Sequence, residues 1–138
     1  MIAVDTSVWV DLFADRPTIQ TAALRDLILS GQPIVVGDLV LAEVLQGARD
    51  ERHAEKLRTQ LGRYAPLTIG GQAVAVQAAR NYRILRTKGV TIRKTIDTLI
   101  ATRCIVDGLA LLYSDRDFDP FVQHLDLRSA LDFDTGVN

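Results

Sequence analysis

Short apolar segments alternate with longer segments of helical periodicity along the whole chain. We predict strands at four apolar runs, residues 2–5, 34–36, 65–69 and 109–115. These runs are apolar on both faces, and each precedes a segment in which apolar residues recur at helical spacing. Such an order is typical of a parallel sheet covered by helices. We therefore predict a single doubly wound α/β domain over residues 1–138.

The helices and the chain end follow from capping and stop signals. Gly89 and Gly108 each end a predicted helix. The predicted helices cover residues 7–13, 18 or 20 to 29, 39–48, 49–63, 70–89 and 94–108, with a short helix within 116–125. A last strand is expected within residues 125–131, and the final residues, 134–138, are expected to fray.

Composition excludes several classes of protein. No apolar run is long enough to span a bilayer, the N-terminus lacks a signal-peptide pattern, and the single cysteine, Cys104, excludes a disulfide framework. A cytoplasmic protein is the simplest interpretation. The net charge of −1 argues against a generic basic nucleic-acid binder. It remains compatible with an enzyme that meets phosphate through metal ions held by carboxylates.

Four acidic residues stand where a simple core would not place them. Asp5 and Asp115 follow the first and fourth strands, and ligands of doubly wound sheets bind outside the carboxyl ends of the strands. Glu43 interrupts the apolar segment "LVLAEVLQ", and Asp97 shares a helical stripe with apolar residues. A carboxylate that faces inward must be paired, protonated or bound to metal.

Each acid also has a simpler interpretation. Asp5 can cap the next helix, Asp97 can face a helix dipole, and Asp115 can stabilise a turn. Glu43 can form an ion pair with Arg49 or another basic residue. Four carboxylates at one sheet edge would nevertheless repel each other without a cation. An all-oxygen cluster suits Mg²⁺ or Mn²⁺.

Other chemistries find little support in the sequence. His53 and His124 have no metal-ligand spacing and are expected in solvent, and Cys104 lies on an apolar stripe typical of a core position. There is no glycine-rich phosphate loop and no nucleophile elbow around Ser7. Metal-activated water is the chemistry that these residues permit.

Four segments together resemble the PIN-domain ribonucleases, and most closely the VapC-type toxins of bacterial toxin–antitoxin modules. They are "VDTSVWVDLF", "LAEVLQGA", "TIDTLIA" and "LLYSDRDFD", in the family's order and across nearly the whole chain. The resemblance implies a three-layer α/β/α sandwich around a mainly parallel sheet. It also implies cleavage of RNA, in tRNA or rRNA loops for example, with Mg²⁺ or Mn²⁺.

The resemblance also assigns roles to residues. The acidic quartet maps onto Asp5, Glu43, Asp97 and Asp115. Asp5 and Asp97 would hold the principal metal, with Asp115 as a further ligand. Glu43 would ligate through water or act as the base. Two further positions match the family's pattern, an additional acid at Asp117 and a small polar residue at Ser7.

Partners follow from the same resemblance. Members usually form homodimers and are silenced by a small cognate antitoxin whose arginine can reach the carboxylates. Independently, residues 83–94 form the densest basic run of the chain and lead into the helix of Asp97. We expect this run either to be a solvated helix end or to grip the RNA backbone through Arg86, Lys88, Arg93 and Lys94.

Three competing functions are distinguishable. A receiver-like signalling domain would need a phospho-acceptor aspartate after the third strand, where "APLTIGG" has no acid. A binding module with a dead site is disfavoured because all four acids are present. A PIN nuclease of RNA processing, outside a toxin–antitoxin pair, is the remaining alternative, and a neighbouring antitoxin gene would decide against it.

Overall fold

The computed structural model describes residues 1–131, and a parallel sheet lies at its centre. The strands are β1 (Ile2–Val4), β2 (Ile34–Gly37), β3 (Ala65–Leu67), β4 (Ala110–Leu112) and β5 (Arg128–Ser129). The helices are α1 (Thr6–Phe13), α2 (Ile19–Leu29), α3 (Asp38–Gln46), α4 (Glu51–Leu61), α5 (Gln72–Thr87), α6 (Thr95–Asp107) and α7 (Asp119–His124), with a 3₁₀ turn at Arg116–Phe118.

The strand order β3-β2-β1-β4-β5 places the first strand at the centre. Ala3 pairs in parallel with Val35 of β2 and with Leu111 of β4. Strands β2 and β3 lie on one side of β1, and β4 and β5 lie on the other side. The order therefore reverses between β1 and β4, and ligands of open α/β sheets bind at such a switch point. Asp5 and Asp115 follow these two strands.

Two groups of helices flank the sheet, as predicted for an α/β/α sandwich. Helix α1 packs against α2 and α3, α3 packs against α4, and α5 packs along α6. The residues of β1, β2 and β4 are buried, and the core between sheet and helices contains Trp9, Phe118 and Phe121, each less than 2% exposed. Trp9 stacks on Phe13 and contacts Tyr64, which ties α1 to the segment before β3.

The start of α3 is fixed by a close approach between Gly37 and Ile69. A Cβ at Gly37 would lie 2.6 Å from Cδ1 of buried Ile69, so glycine lets Ile69 close over the start of α3. The Asp38 carboxylate accepts the backbone N–H groups of Leu39 and Ile69 at 2.8 and 2.9 Å. These contacts orient α3, and with it Glu43, relative to the sheet.

The structure differs from the predictions at the sheet edge and at helix ends. Ala65 and Pro66 of β3 are exposed, because β3 is an edge strand, where proline is tolerated. The charged helix predicted at 49–63 is shorter, since Asp50 caps it by accepting the His53 N–H at 2.7 Å. The predicted last strand is β5. The frayed tail predicted at 134–138 lies outside the described residues. No helix within residues 1–131 is long and apolar enough to cross a membrane.

Candidate metal centre

Asp5 joins the central strand to the first helix. It directly follows β1, is 5% exposed, and caps α1. Its Oδ2 accepts the Ser7 hydroxyl at 3.0 Å and the Ser7 backbone N–H at 3.5 Å. Burial raises the pKa of Asp5, the Ser7 and Thr6 hydrogen bonds oppose the rise, and the charge of Glu43 adds to it. The Asp5 carboxylate therefore caps α1 and can also belong to the site, so its two interpretations are compatible.

Glu43 projects from α3 towards the start of α1. Its Oε1 accepts the Thr6 hydroxyl at 2.6 Å, a contact between residues 37 positions apart. In the described part of the chain Glu43 forms no ion pair with Arg49. The alternative that Glu43 serves an ion pair with Arg49 is therefore wrong. Thr6 instead fixes one oxygen of Glu43 next to Asp5.

Asp97 occupies the first turn of α6 and is 6% exposed. Its Oδ2 is buried and has no hydrogen-bond partner among residues 1–131. Burial and the charge of Asp5 raise the pKa of Asp97 to about 7, Lys94 opposes the rise, and Asp115 and Glu43 add to it. A helix dipole alone would lower this pKa, so the interpretation of Asp97 as a simple dipole partner is insufficient.

Asp115 and Asp117 lie in the turn that follows β4. Oδ1 of Asp115 accepts the Asp117 backbone N–H at 2.9 Å, so Asp115 caps the 3₁₀ turn as its turn-forming interpretation requires. Asp97, Asp115 and Asp117 each offer a carboxylate oxygen, and these oxygens lie within 4.8 Å of one another. This grouping includes Asp117, which the family pattern gave only as an additional acid.

An open cavity of about 290 Å³ lies where the acids of the predicted quartet meet. Its lining includes all four acids of the predicted quartet together with Ser7. It also includes residues that the sequence did not single out, namely Thr6, Val10, Asp11 and Arg16. Asp11 follows Ser7 by four positions, so the helical spacing of α1 could have identified it. Arg16 lies in a loop, where no periodicity applies.

The predicted basic residues separate into one that lines the cavity and three that do not. Lys94 occupies the N-cap position of α6, makes no side-chain capping hydrogen bond, and lines the cavity. Arg86, Lys88 and Arg93 are exposed and do not contribute to the lining. Arg86 lies over the ring of Tyr82, with its Cζ 5.9 Å from the ring centre. The RNA contacts of all four residues therefore stay predictions, and Lys94 is the one of them that lies at the cavity.

Cys104, His53 and His124 lie away from the acidic cavity. Cys104 is fully buried, and burial raises the pKa of its thiol to about 12, so it is no nucleophile. His53 is half-buried, and its Nδ1 accepts the Arg49 backbone N–H at 3.1 Å. His124 is exposed, as predicted.

The acidic cluster fits a divalent cation. Its donors are carboxylate oxygens, which Mg²⁺ and Mn²⁺ prefer. The buried Oδ2 of Asp97 has no partner in the described chain, and several carboxylates crowd around it. A cation at this position would supply the missing partner and offset the repulsion between the carboxylates.

Comparison with known proteins places this fold and site in a family. Residues 2–121 match the sequence pattern of the PIN domain. The chain is also 30% identical over 131 residues to ribonuclease VapC11 of Mycobacterium tuberculosis, covering 94% of this chain and 98% of that protein. This chain belongs to the PIN-domain family of VapC ribonucleases. VapC ribonuclease Mb1587 of Mycobacterium bovis matches this PIN chain at the same identity and coverage.

Solved structures share the PIN fold of this chain. VapBC2 of Rickettsia felis, bound to a promoter DNA fragment, superposes with a TM-score of 0.72 at 21% identity, covering 94% of this chain and 97% of that one. FitAcB of Neisseria gonorrhoeae gives a TM-score of 0.63 at 22% identity, covering 94% and 96%. VapC20 of Mycobacterium tuberculosis, a toxin that cleaves the sarcin–ricin loop, gives 0.63 at 17% identity, covering 86% and 93%. These likenesses confirm the predicted fold.

Proposed function

We propose that this PIN-domain chain is a divalent-metal-dependent endoribonuclease, the toxin of a toxin–antitoxin pair. The observation that carries the proposal is the buried, unpartnered oxygen of Asp97 among the other carboxylates of the cavity. The VapC relatives named as ribonucleases support RNA as the substrate class. We expect the protein to act in the cytoplasm, as a homodimer, on loops of tRNA or rRNA.

Asp97 and Asp115 are the central ligands in this proposal. Both belong to the predicted metal set and, together with Asp117, to the close group of carboxylate oxygens, and Asp5 lines the same cavity. When bound, Mg²⁺ or Mn²⁺ would lower the pKa of coordinated water and neutralise charge on the scissile phosphate. With the cation bound, the charge of the four predicted acids would no longer repel a polyanionic substrate.

Glu43 is suited to the role of general base. Thr6 fixes its Oε1, and within residues 1–131 no hydrogen bond engages its Oε2. Oε2 would take a proton from the attacking water while the water oxygen bonds to phosphorus. The bond from phosphorus to the 3′-oxygen would break, and that oxygen would leave as a 3′-hydroxyl after gaining a proton. The other product would carry a 5′-phosphate.

An antitoxin would use the same cavity. A cationic side chain, arginine in particular, would form charge-assisted hydrogen bonds with these carboxylates and would occupy the place of the cation. The VapBC2 structure, whose fold this chain shares, supports a VapB-type antitoxin as the partner. We propose that a cognate antitoxin inhibits this chain by excluding both cation and RNA.

Cleavage of end-labelled structured RNA tests the proposed function. We expect fragments with 5′-phosphate and 3′-hydroxyl ends in Mg²⁺ or Mn²⁺, and none in EDTA. As a matched control, Asp26→Asn removes an exposed acid of α2 and should cleave like the wild type. Cleavage that persists at full rate in EDTA would contradict the metal-dependent mechanism. A folded wild type that cleaves no RNA with either ion would contradict the ribonuclease assignment.

A further inference from the structure

Arg16 is an exposed arginine whose backbone is fixed on both sides. Its N–H donates to the carbonyl oxygen of Asp11 at 2.9 Å, which joins it to the end of α1. Its carbonyl oxygen accepts the Thr21 hydroxyl at 3.0 Å, which joins it to the first turn of α2. Pro17 follows and restricts the backbone further. The loop between the two helices therefore holds the Arg16 Cα in one place.

A hydrogen bond also fixes the direction of the Arg16 side chain. Its Nη1 donates to Oδ1 of Asp11 at 3.0 Å, although 64% of the side chain is exposed. Over residues 1–131 the guanidinium makes no second hydrogen bond. Arg16 and Lys94 are the two cationic residues that line the acidic cavity. Asp11 thus leaves most guanidinium donors of Arg16 available at the mouth of the site.

The ion pair with Asp11 does not by itself account for this arrangement. Exposed pairs of this kind contribute little to stability, typically ~0.2–1 kcal/mol. The cavity presents five carboxylates, from Asp5, Asp11, Glu43, Asp97 and Asp115. A polyanion entering it needs cations outside the metal position. A guanidinium with two adjacent N–H groups free matches the two oxygens of one phosphate, which an ammonium does not.

We propose that Arg16 is a substrate-binding residue that holds an RNA backbone phosphate flanking the cleavage position through paired N–H donors. This assignment rests on the proposed ribonuclease function. It places the first recognition contact for RNA in the α1–α2 loop, on residues separate from the metal ligands. The contact forms in the ground state and in the transition state alike, so it governs KM more than kcat.

Arg16→Gln and Arg25→Gln form a matched pair of variants. Arg25 is also half-exposed and pairs with an aspartate, Asp15, at 3.6 Å, but it does not line the cavity. We expect Arg16→Gln to raise KM for RNA roughly tenfold and to leave kcat within about twofold. The slope of log affinity against log salt should fall by about 1. Arg25→Gln should change neither quantity.

Arg16→Lys separates charge from geometry. It should restore the salt slope of the wild type, because the charge returns, but only part of the loss in KM, because a lysine cannot bind a phosphate in a bidentate manner. Mn²⁺ affinity, measured without RNA, should be the same in all three variants. Their unfolding midpoints should match that of the wild type.

Two outcomes would overturn the assignment and are distinguishable from each other. If the wild type cleaves RNA and Arg16→Gln matches Arg25→Gln in KM and salt slope, Arg16 is not a substrate contact. A fall in kcat with unchanged KM would lead to the same conclusion. If the folded wild type cleaves no RNA with either ion, the proposed function itself fails, and the assignment of Arg16 fails with it.

Discussion

Helix α6 contains three buried polar side chains, Asp97, Thr98 and Thr102, and the first and the last of them have opposite properties. In its second half, the Asn81 amide of α5 donates to the Thr102 hydroxyl at 3.0 Å, and the Asn81 oxygen accepts the Gln77 amide at 2.9 Å. In its first turn, Oδ2 of Asp97 is equally buried but has no partner within residues 1–131. One helix therefore carries a satisfied polar contact and an unsatisfied one.

The difference separates a residue that supports the fold from one that serves the site. Buried polar groups are nearly always hydrogen-bonded, because leaving one unpaired costs roughly 1–3 kcal/mol. The Asn81–Thr102 pair meets this requirement and fixes α5 against α6. Asp97 violates it, as do Trp9 Nε1, Thr98 Oγ1 and Ser114 Oγ, but Asp97 is the acid among them and lies with other carboxylates at the cavity. The comparison predicts that changes at the two sites affect different quantities.

The largest effect is expected for Asp97→Asn on RNA cleavage. This change keeps the shape of the side chain but removes the charge that would hold the cation, so cleavage should fall by at least about a thousandfold. Circular dichroism should show an intact fold. Initial rates on labelled RNA give the measurement, with Thr102→Val as a buried control on the same helix. Retention of a tenth or more of the activity would refute the metal role of Asp97.

Asn81→Ala should instead reduce stability, by about 2 kcal/mol in urea unfolding, because the buried Thr102 hydroxyl loses its partner. Activity per folded molecule should stay within about twofold of the wild type. The double variant Asn81→Leu with Thr102→Val should cost less than the sum of the two single changes, since neither buried group is then left unpaired. Additive losses would show that the pair is not coupled.

The free energy of unfolding of the metal-free protein should fall as pH rises. The pKa of Asp97 is about 7 in the folded chain and 3.8 ordinarily, so the folded state keeps a proton that the unfolded state has released. The stability from this group is therefore greatest below about pH 4, near the ordinary pKa, and is lost as the pH rises through the folded pKa. We expect a loss of about 2 kcal/mol between about pH 4 and pH 7.5, after allowing for screening by water in the open cavity. Asp5 contributes in the same direction.

Chemical unfolding at a series of pH values in EDTA measures this slope. Asp97→Asn should flatten most of it, leaving the part due to Asp5. Added Mg²⁺ should flatten it in the wild type as well, because the cation binds the deprotonated carboxylates. A wild-type profile already flat in EDTA would show that Asp97 is ionised throughout this range.

The smallest effect is expected at the exposed end of the same helix. Asp107→Asn removes the pair between Oδ1 of Asp107 and Nη1 of Arg103, at 3.3 Å. Arg103 keeps its hydrogen bonds to the carbonyl oxygens of Ile69 and Gly70. The loss in stability should therefore be no more than about 0.5 kcal/mol, with unchanged cleavage. A loss as large as that of Asn81→Ala would remove the distinction between buried and exposed polar contacts.

Sequence reasoning predicts those features that local pattern controls. The alternating segments predict a parallel sheet covered by helices, and the four acids stand out because each interrupts an apolar pattern or ends a strand. The contact of Thr6 with Glu43 could not be predicted, since it joins residues 37 positions apart through the packing of α1 on α3. A side chain with an ordinary hydroxyl gives no sign of such a contact.

The placement of basic residues around the cavity was another feature that the sequence could not predict. The basic run 83–94 is continuous in sequence, but only Lys94 lines the cavity, because the chain direction after α5 determines where each side chain points. Arg16 is isolated in sequence and yet lines it. Exposure of β3 was not predicted either, although Pro66 is typical of an edge strand.

The central position of β1 between β2 and β4 has a consequence during synthesis. Asp5 is made well before Asp115, which follows β4, and β4 pairs with β1 across most of the chain length. A growing chain therefore lacks a complete site until residue 115 has left the ribosome and β4 has joined the sheet. A product that ends before β4 would lack Asp115 and with it part of the proposed metal site.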